Sequence, residues 1–152
     1  VQEIRGNIWD YYDKGNWVVI TTNGVVKANG EAVMGKGIAL QAAKRFPLLP
    51  SLLGKKIMAI GSGVFNFTDY RLITFPTKQD WRKDSDVDLI RLSADKLVFL
   101  TRWLARSGYF EFSSIFPLYM TRPGCGSGGL DWKDVKPILE KVLDDRFIVV
   151  QN

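Results

Sequence analysis

Lys78 stands in the run Phe75-Pro76-Thr77-Lys78, three residues before Trp81. Two glycine-rich segments bracket it in the chain: Val33-Met34-Gly35-Lys36-Gly37-Ile38-Ala39 and Pro123-Gly124-Cys125-Gly126-Ser127-Gly128-Gly129-Leu130-Asp131-Trp132. An amine attacks an electrophilic carbon best where desolvation or a neighbouring cation lowers its pKa. Each glycine segment sits between an expected strand and an expected helix. Backbone N–H groups there meet the positive end of a helix dipole, and a missing Cβ lets a phosphate come close. Tight turns and a surface lysine are the plainer alternatives, and residue type alone leaves both open.

Composition narrows the chemistry further. The 152 residues contain no histidine, which removes imidazole bases, His-based triads and most catalytic zinc sites. The single Cys125 has no partner for a disulfide or a zinc pair and no histidine to activate it, so it is not expected to be a nucleophile. A net charge of +5 favours anionic partners, although the basic residues are spread along the chain. No continuous apolar stretch marks a secretory signal in residues 1–12 or a membrane span elsewhere, and a cytoplasmic protein is expected.

Strand-like and helix-like runs alternate. Strands are expected at residues 2–5, 17–22, 57–60, 114–117 and 147–150, with a hairpin formed by 64–67 and 70–75. Helices are expected at 37–46, stopped by Pro47, at 86–107 with Gly108 as a cap, and at 132–143. In the long helix Ile90, Ala94, Leu97, Leu100 or Thr101, and Leu104 form one stripe. The alternation implies one α/β domain over residues 1–152, with a mainly parallel inner sheet.

Gly124-x-Gly126-x-x-Gly129 matches the dinucleotide fingerprint in form. That motif calls for an acidic residue roughly 20 positions on, at the end of the next strand. Only 23 residues follow Gly129, and the last strand has no acid at its tip. Gly35-Lys36-Gly37 lacks the spacing and the Lys-Ser/Thr pair of a P-loop.

Four motifs occur in order: Gly6-Asn7-Ile8; an Asn/Gly-rich stretch ending Met34-Gly35-Lys36-Gly37-Ile38-Ala39-Leu40-Gln41; Phe75-Pro76-Thr77-Lys78-x-x-Trp81-Arg82; and Gly124-Cys125-Gly126-x-Gly128-Gly129-Leu130-Asp131-Trp132. Together they resemble the macro domain family, in particular the branch of DNA ADP-ribosyl glycohydrolase antitoxins and terminal ADP-ribose protein glycohydrolases. The resemblance implies a three-layer α/β/α sandwich with a mixed central sheet and a cleft for ADP-ribose. Gly35, Lys36, Gly37 and Ile38 would form one phosphate loop. Gly124, Cys125, Gly126, Ser127, Gly128 and Gly129 would form the other. Asn7 and Ile8 would meet adenine, Asn7 standing where many relatives carry an aspartate. Asn29, with Asn23, would face the distal ribose, and Lys78 would attack its anomeric carbon. Gly128 falls where protein-directed members carry an aspartate, which leaves Asp131 as an acid/base or as a helix cap. No aromatic follows the last strand, so Gln151, Asn152, Phe65 or Tyr119 would cover the base. Trp81 and Trp132 would stack or pack at the rim.

The resemblance thus implies a monomeric hydrolase of ADP-ribosyl linkages on DNA or an acidic side chain, with no cofactor or metal and no membrane partner. ADP-ribosylated nucleic acid is the favoured substrate. An ADP-ribose-1″-phosphate phosphatase and a non-catalytic ADP-ribose reader are the alternatives.

Overall fold

The computed structural model describes residues 1–107 and 115–152. Six strands form one sheet in the order β1-β6-β5-β2-β4-β3, where β1 is Gln2–Arg5, β2 Trp17–Thr22, β3 Asn66–Phe67, β4 Leu72–Pro76, β5 Leu118–Met120 and β6 Phe147–Gln151. All neighbours are parallel except β3 and β4, which form the expected antiparallel pair. The helices are α1 (Ile8–Asp13), α2 (Gly37–Arg45), α3 (Leu49–Ile60), α4 (Val87–Arg106) and α5 (Trp132–Glu140).

Period-two alternation assigns each strand residue to a layer. Val18 and Ile20 of β2, Leu72 of β4, and Ile148 and Val150 of β6 pack against α1, α2 and α3. Their neighbours Trp17, Val19, Ile73, Phe75, Phe147 and Val149 face α4 and α5. Both faces of the sheet are therefore covered, and the β-branched run of β2 is buried along almost its whole length, as parallel strands require. In α4 the buried stripe is Ile90, Ser93, Ala94, Leu97, Thr101 and Leu104, with Asp86 capping the N-terminus by accepting from Asp88 N at 2.9 Å. Thr101 rather than Leu100 lies on the stripe, its hydroxyl donating to Leu97 O at 2.9 Å. No helix among the described residues is long and apolar enough to cross a membrane.

Several expectations are corrected. Residues 57–60 are the last turn of α3, because Leu49, Leu53 and Ile57 recur at four-residue spacing and bury one face of a helix. The strand expected at 114–117 is Leu118–Met120: residue 114 lies outside the described residues, and 115–117 lead into the strand. Gly108 also lies outside them. The last helix ends at Glu140, three residues early. Helix α1, capped by Asn7, was not anticipated.

One close approach sets the loop that precedes α2. Gly54 in the middle of α3 lies so near Gly30 that a Cβ would overlap the Gly30 carbonyl oxygen, and Ala32 N donates to Pro50 O at 2.9 Å. An alanine in an exposed helix interior is ordinarily better than glycine by about 1 kcal/mol. Gly54→Ala is expected to reverse that sign and cost about 1–3 kcal/mol by overpacking. Urea denaturation measures it, and a stabilised variant would show that the loop does not rest on α3.

Candidate functional site

The carboxyl ends of β1, β6, β5, β2 and β4 gather at one edge of the sheet. The chain leaves β2 toward the α2–α3 face and leaves the adjacent β5 toward the α5 face. Loops that part in this way leave a crevice between them. Here the crevice is a cleft of about 900 Å³, lined by the loops after all five strands.

The first loop is built by a small hairpin. Val33 N donates to Val25 O at 3.0 Å, and Val26 bridges Ala32. Asn23 ties its base: Nδ2 donates to Val33 O at 3.0 Å and Oδ1 accepts from Val25 N at 2.9 Å. Gly35, Lys36, Gly37 and Ile38 then line the cleft as they enter α2. Lys36 occupies the N-cap position without a side-chain cap, so backbone N–H groups of the first turn are left for a ligand. Asn29 sits near the hairpin tip, bonded to Glu31 at 2.8 Å, and does not line the cleft.

The second loop closes on itself, with Leu130 N donating to Gly124 O at 2.9 Å. Gly124, Cys125, Gly126, Ser127 and Gly128 line the cleft, whereas Gly129 turns away toward Asp84. Burial pushes the Cys125 thiol pKa up, which suits an inert thiol rather than a nucleophile. Asp131, expected as an acid/base or a helix cap, caps α5, accepting from Lys133 N at 3.2 Å, and does not line the cleft.

Lys78 is half-buried and lines the cleft. Its backbone continues the β2–β4 ladder, because Thr77 N donates to Thr22 O at 3.1 Å and Gly24 N to Gln79 O at 2.9 Å. Asp86 N returns to Thr77 O at 2.8 Å and closes the loop of residues 77–86. On that loop Trp81 lines the cleft with its side chain 44% exposed, and Arg82, paired with Asp80 at 2.6 Å, lies against the ring.

Asn7, Ile8, Gln151 and Asn152 line the end nearest β1 and β6. Phe65 and Tyr119 do not line it; Tyr119 stacks on Tyr11 at 4.5 Å. Trp132 also stays outside, bonded to Glu3 at 2.8 Å beneath the Arg122 guanidinium.

Sequence patterns gave no sign of Trp9, Ser85 and Arg122, and Gln41 entered only as the end of a quoted motif; all four line the cleft. They reach it from separate elements, and only the glycine motifs signal from spacing alone. Among the described residues, those that line the cleft include Lys36, Lys78 and Arg122 but no aspartate or glutamate. Such a cleft suits an anion. Among the described residues, no group of three or more carboxylate or thiol side chains could hold a metal ion.

No family model matches the chain. The DNA ADP-ribosyl glycohydrolase of Mycobacterium tuberculosis (strain ATCC 25618 / H37Rv) is 30% identical over 136 residues, covering 82% of this chain and 36% of that protein. The chain thus spans just over a third of the length of the curated relatives it matches. The macrodomain of Mycobacterium tuberculosis DarG superposes with a TM-score of 0.69 at 30% identity, covering 90% of this chain and 88% of that one. The macrodomain of Thermus aquaticus DarG superposes at 0.74 with 25% identity over 98% and 95%. Thermosipho africanus DarTG, solved in complex with ADP-ribose, shares the fold at 0.68 with 19% identity, over 98% of this chain and 41% of its own.

Ser85 and Gly128 interlock at the floor of the second loop. Ser85 N donates to Gly128 O at 2.8 Å, and a Cβ on Gly128 would overlap the Ser85 hydroxyl, itself buried without a partner. Gly128→Ala is expected to destabilise by about 1–3 kcal/mol, and Ser85→Gly in the same chain to recover most of it. Additive losses in a urea double-mutant cycle would rule out the interlock.

Proposed function

Because the chain belongs to the macro domain family, in the branch of the DarG macrodomains, we propose that residues 1–152 form one macro domain that binds ADP-ribose and hydrolyses an ADP-ribosyl linkage on a nucleic-acid base. The observation that carries this proposal is Lys78, flanked by the backbone hydrogen bonds of Thr77 and Gln79 in a cleft whose described lining includes cations and no aspartate or glutamate. Two phosphates of the pyrophosphate would sit between the uncapped start of α2 and the loop of Gly124 to Gly128, where backbone N–H groups and Arg122 favour anions. The distal ribose then lies toward Lys78.

Lys78 Nζ attacks the anomeric carbon of that ribose. A C–N bond forms as the bond to the base breaks, and the departing base takes up the proton released by the new ammonium. Water then attacks the same carbon, displaces the amine and leaves ADP-ribose. A covalent intermediate divides one difficult displacement into two. Trp81 flanks this end with an exposed aromatic face and a neighbouring guanidinium, a combination that suits a flat base better than a carboxylate side chain. The lone thiol and the absence of any disulfide requirement suit the reducing cytoplasm, and the domain is taken to act as a monomer.

Turnover of an ADP-ribosylated thymidine oligonucleotide, an ADP-ribosylated glutamyl peptide and ADP-ribose-1″-phosphate, beside calorimetry with ADP-ribose, tests these assignments. The oligonucleotide is expected to be the substrate. Lys78→Ala is expected to keep ADP-ribose affinity while turnover drops roughly a thousandfold or more. Binding without turnover of any substrate would make the domain a reader, and cleavage of the 1″-phosphate alone would make it a phosphatase. In a separate arm, Trp81→Ala is expected to weaken the oligonucleotide substrate by roughly tenfold or more and to leave free ADP-ribose binding unchanged. Equal losses for both ligands would remove the stacking role.

A further inference from the structure

Helix α3 is apolar on both sides and covered on one. Its only charged residues are Lys55 and Lys56, and Ser51 is the one other polar side chain between Leu49 and Ile60. The inner side is taken up by the fold: Leu49, Leu53 and Ile57 enter the core, and Gly54 backs the hairpin at Gly30. The outer side carries Leu48, Leu52, Lys55 and Ala59 at spacings of four, three and four, which is one helical stripe. Leu48 is 68% exposed, and Met58 beside the stripe and Ile60 at the last turn are each 71% exposed. A helix that is apolar around its whole circumference is ordinarily buried, so the outer side of α3 is a surface suited to being covered.

The charges around this side indicate what covers it. Residues 32–68 include Lys36, Lys44, Arg45, Lys55 and Lys56 and not one aspartate or glutamate. Arg45 is answered by Asp13 at 2.9 Å, and Lys56 lies against the Phe65 ring. Among the described residues, Lys44 and Lys55 have no ion-pair partner. A covering group therefore has to bring anionic groups together with apolar surface. The apolar side chains are leucine, methionine and isoleucine. No aromatic stands on the stripe to stack on a base, and no tryptophan or tyrosine to seat at lipid headgroups. Methionine and leucine suit packing against the side chains of another protein helix. We propose that α3 docks an acidic amphipathic helix of a protein partner. Its apolar side covers Leu48, Leu52, Met58 and Ile60, and its carboxylates meet Lys55 and Lys56. None of these residues lines the cleft, so partner and nucleotide bind at the same time.

A synthetic helical peptide with leucines along one face and glutamates at its margins, titrated into isotope-labelled protein and followed by amide shifts, tests this. Shifts centred on α3 are expected, with an affinity that falls as salt rises and is unchanged by saturating ADP-ribose. The same peptide with lysine in place of glutamate is expected not to bind. Leu48 and Met58 project into water, so Leu48→Gln together with Met58→Gln keeps the fold and is expected to weaken the acidic peptide by about tenfold. The proposal is overturned by an acidic peptide that leaves α3 unshifted, that ADP-ribose displaces, or that the double variant binds as well as the wild type. Equal binding of the lysine peptide overturns it too. So does a thymidine oligonucleotide, or a vesicle of phosphatidylcholine and phosphatidylglycerol, that shifts α3 where the acidic peptide does not; nucleic acid or membrane is then the occupant.

Discussion

Strand β2 is hydrogen-bonded on both sides by parallel partners, β4 and β5, and the chain leaves β2 and β5 toward opposite faces of the sheet. A parallel strand buried on both faces cannot shift register without exposing its apolar side chains. The loops above it are therefore fixed at their roots, and the cleft opens where they diverge. The β2–β4 ladder continues past the strand ends through Thr77 and Gly24. Lys78 gains its fixed backbone from this extension. A lysine on a loose loop would have to lose that freedom each time it met a reacting carbon.

The charge of the cleft follows from which side chains are occupied elsewhere. The nearby acids serve as caps or ion-pair partners: Asp131 caps α5, Asp86 caps α4 and Asp80 holds Arg82. Glu3 accepts from Lys136 and Trp132, and the first of these bonds is the main cause of its lowered pKa. Glu3 also lies 3.6 Å from Arg122, and the Trp132 ring sits under that guanidinium. Arg122 is thus positioned by groups behind the loop rather than by the ligand. Among the described residues, the cleft thus presents cations and no aspartate or glutamate side chain.

The long patterns were legible before the structure. Twenty residues of α4 repeat at helical period behind an Asp86 cap, and β2 reads as a doubly covered strand from its β-branched run. The glycine loops could be read as candidate ligand loops because strand-to-helix transitions are where parallel sheets present backbone to ligands, whereas Lys78 stood out only through the resemblance to the macro domain family. Short segments failed for a physical reason. Four apolar residues at 57–60 fit a buried strand as well as the end of a helix, and only the tertiary stripe of Leu49, Leu53 and Ile57 decides. Asn29 and Asp131 were hard to place from sequence because local turns and caps use the same polar side chains that ligands do. Ser85 carries no local signal; it reaches the cleft only through the way the loop before α4 packs.

That packing leaves an imbalance concentrated in one place. Among the described residues, the buried side-chain polar atoms without a partner are Ser85 Oγ and Arg122 Nε, and both belong to residues that line the cleft. Folded proteins satisfy nearly all such atoms, since each one left over costs about 1–3 kcal/mol. On α4 that condition is met: the buried Thr101 and Ser93 hydroxyls donate to Leu97 O and Pro76 O. The exceptions lie beneath and beside the second glycine loop, where a ligand oxygen or a bound water can complete them. The hydrogen bond from Ser85 N to Gly128 O ties the floor of that loop to the turn before α4. A carboxylate at position 128 would need the volume that Ser85 already fills, so the serine, the glycine and the acid-free chemistry of the cleft constrain one another.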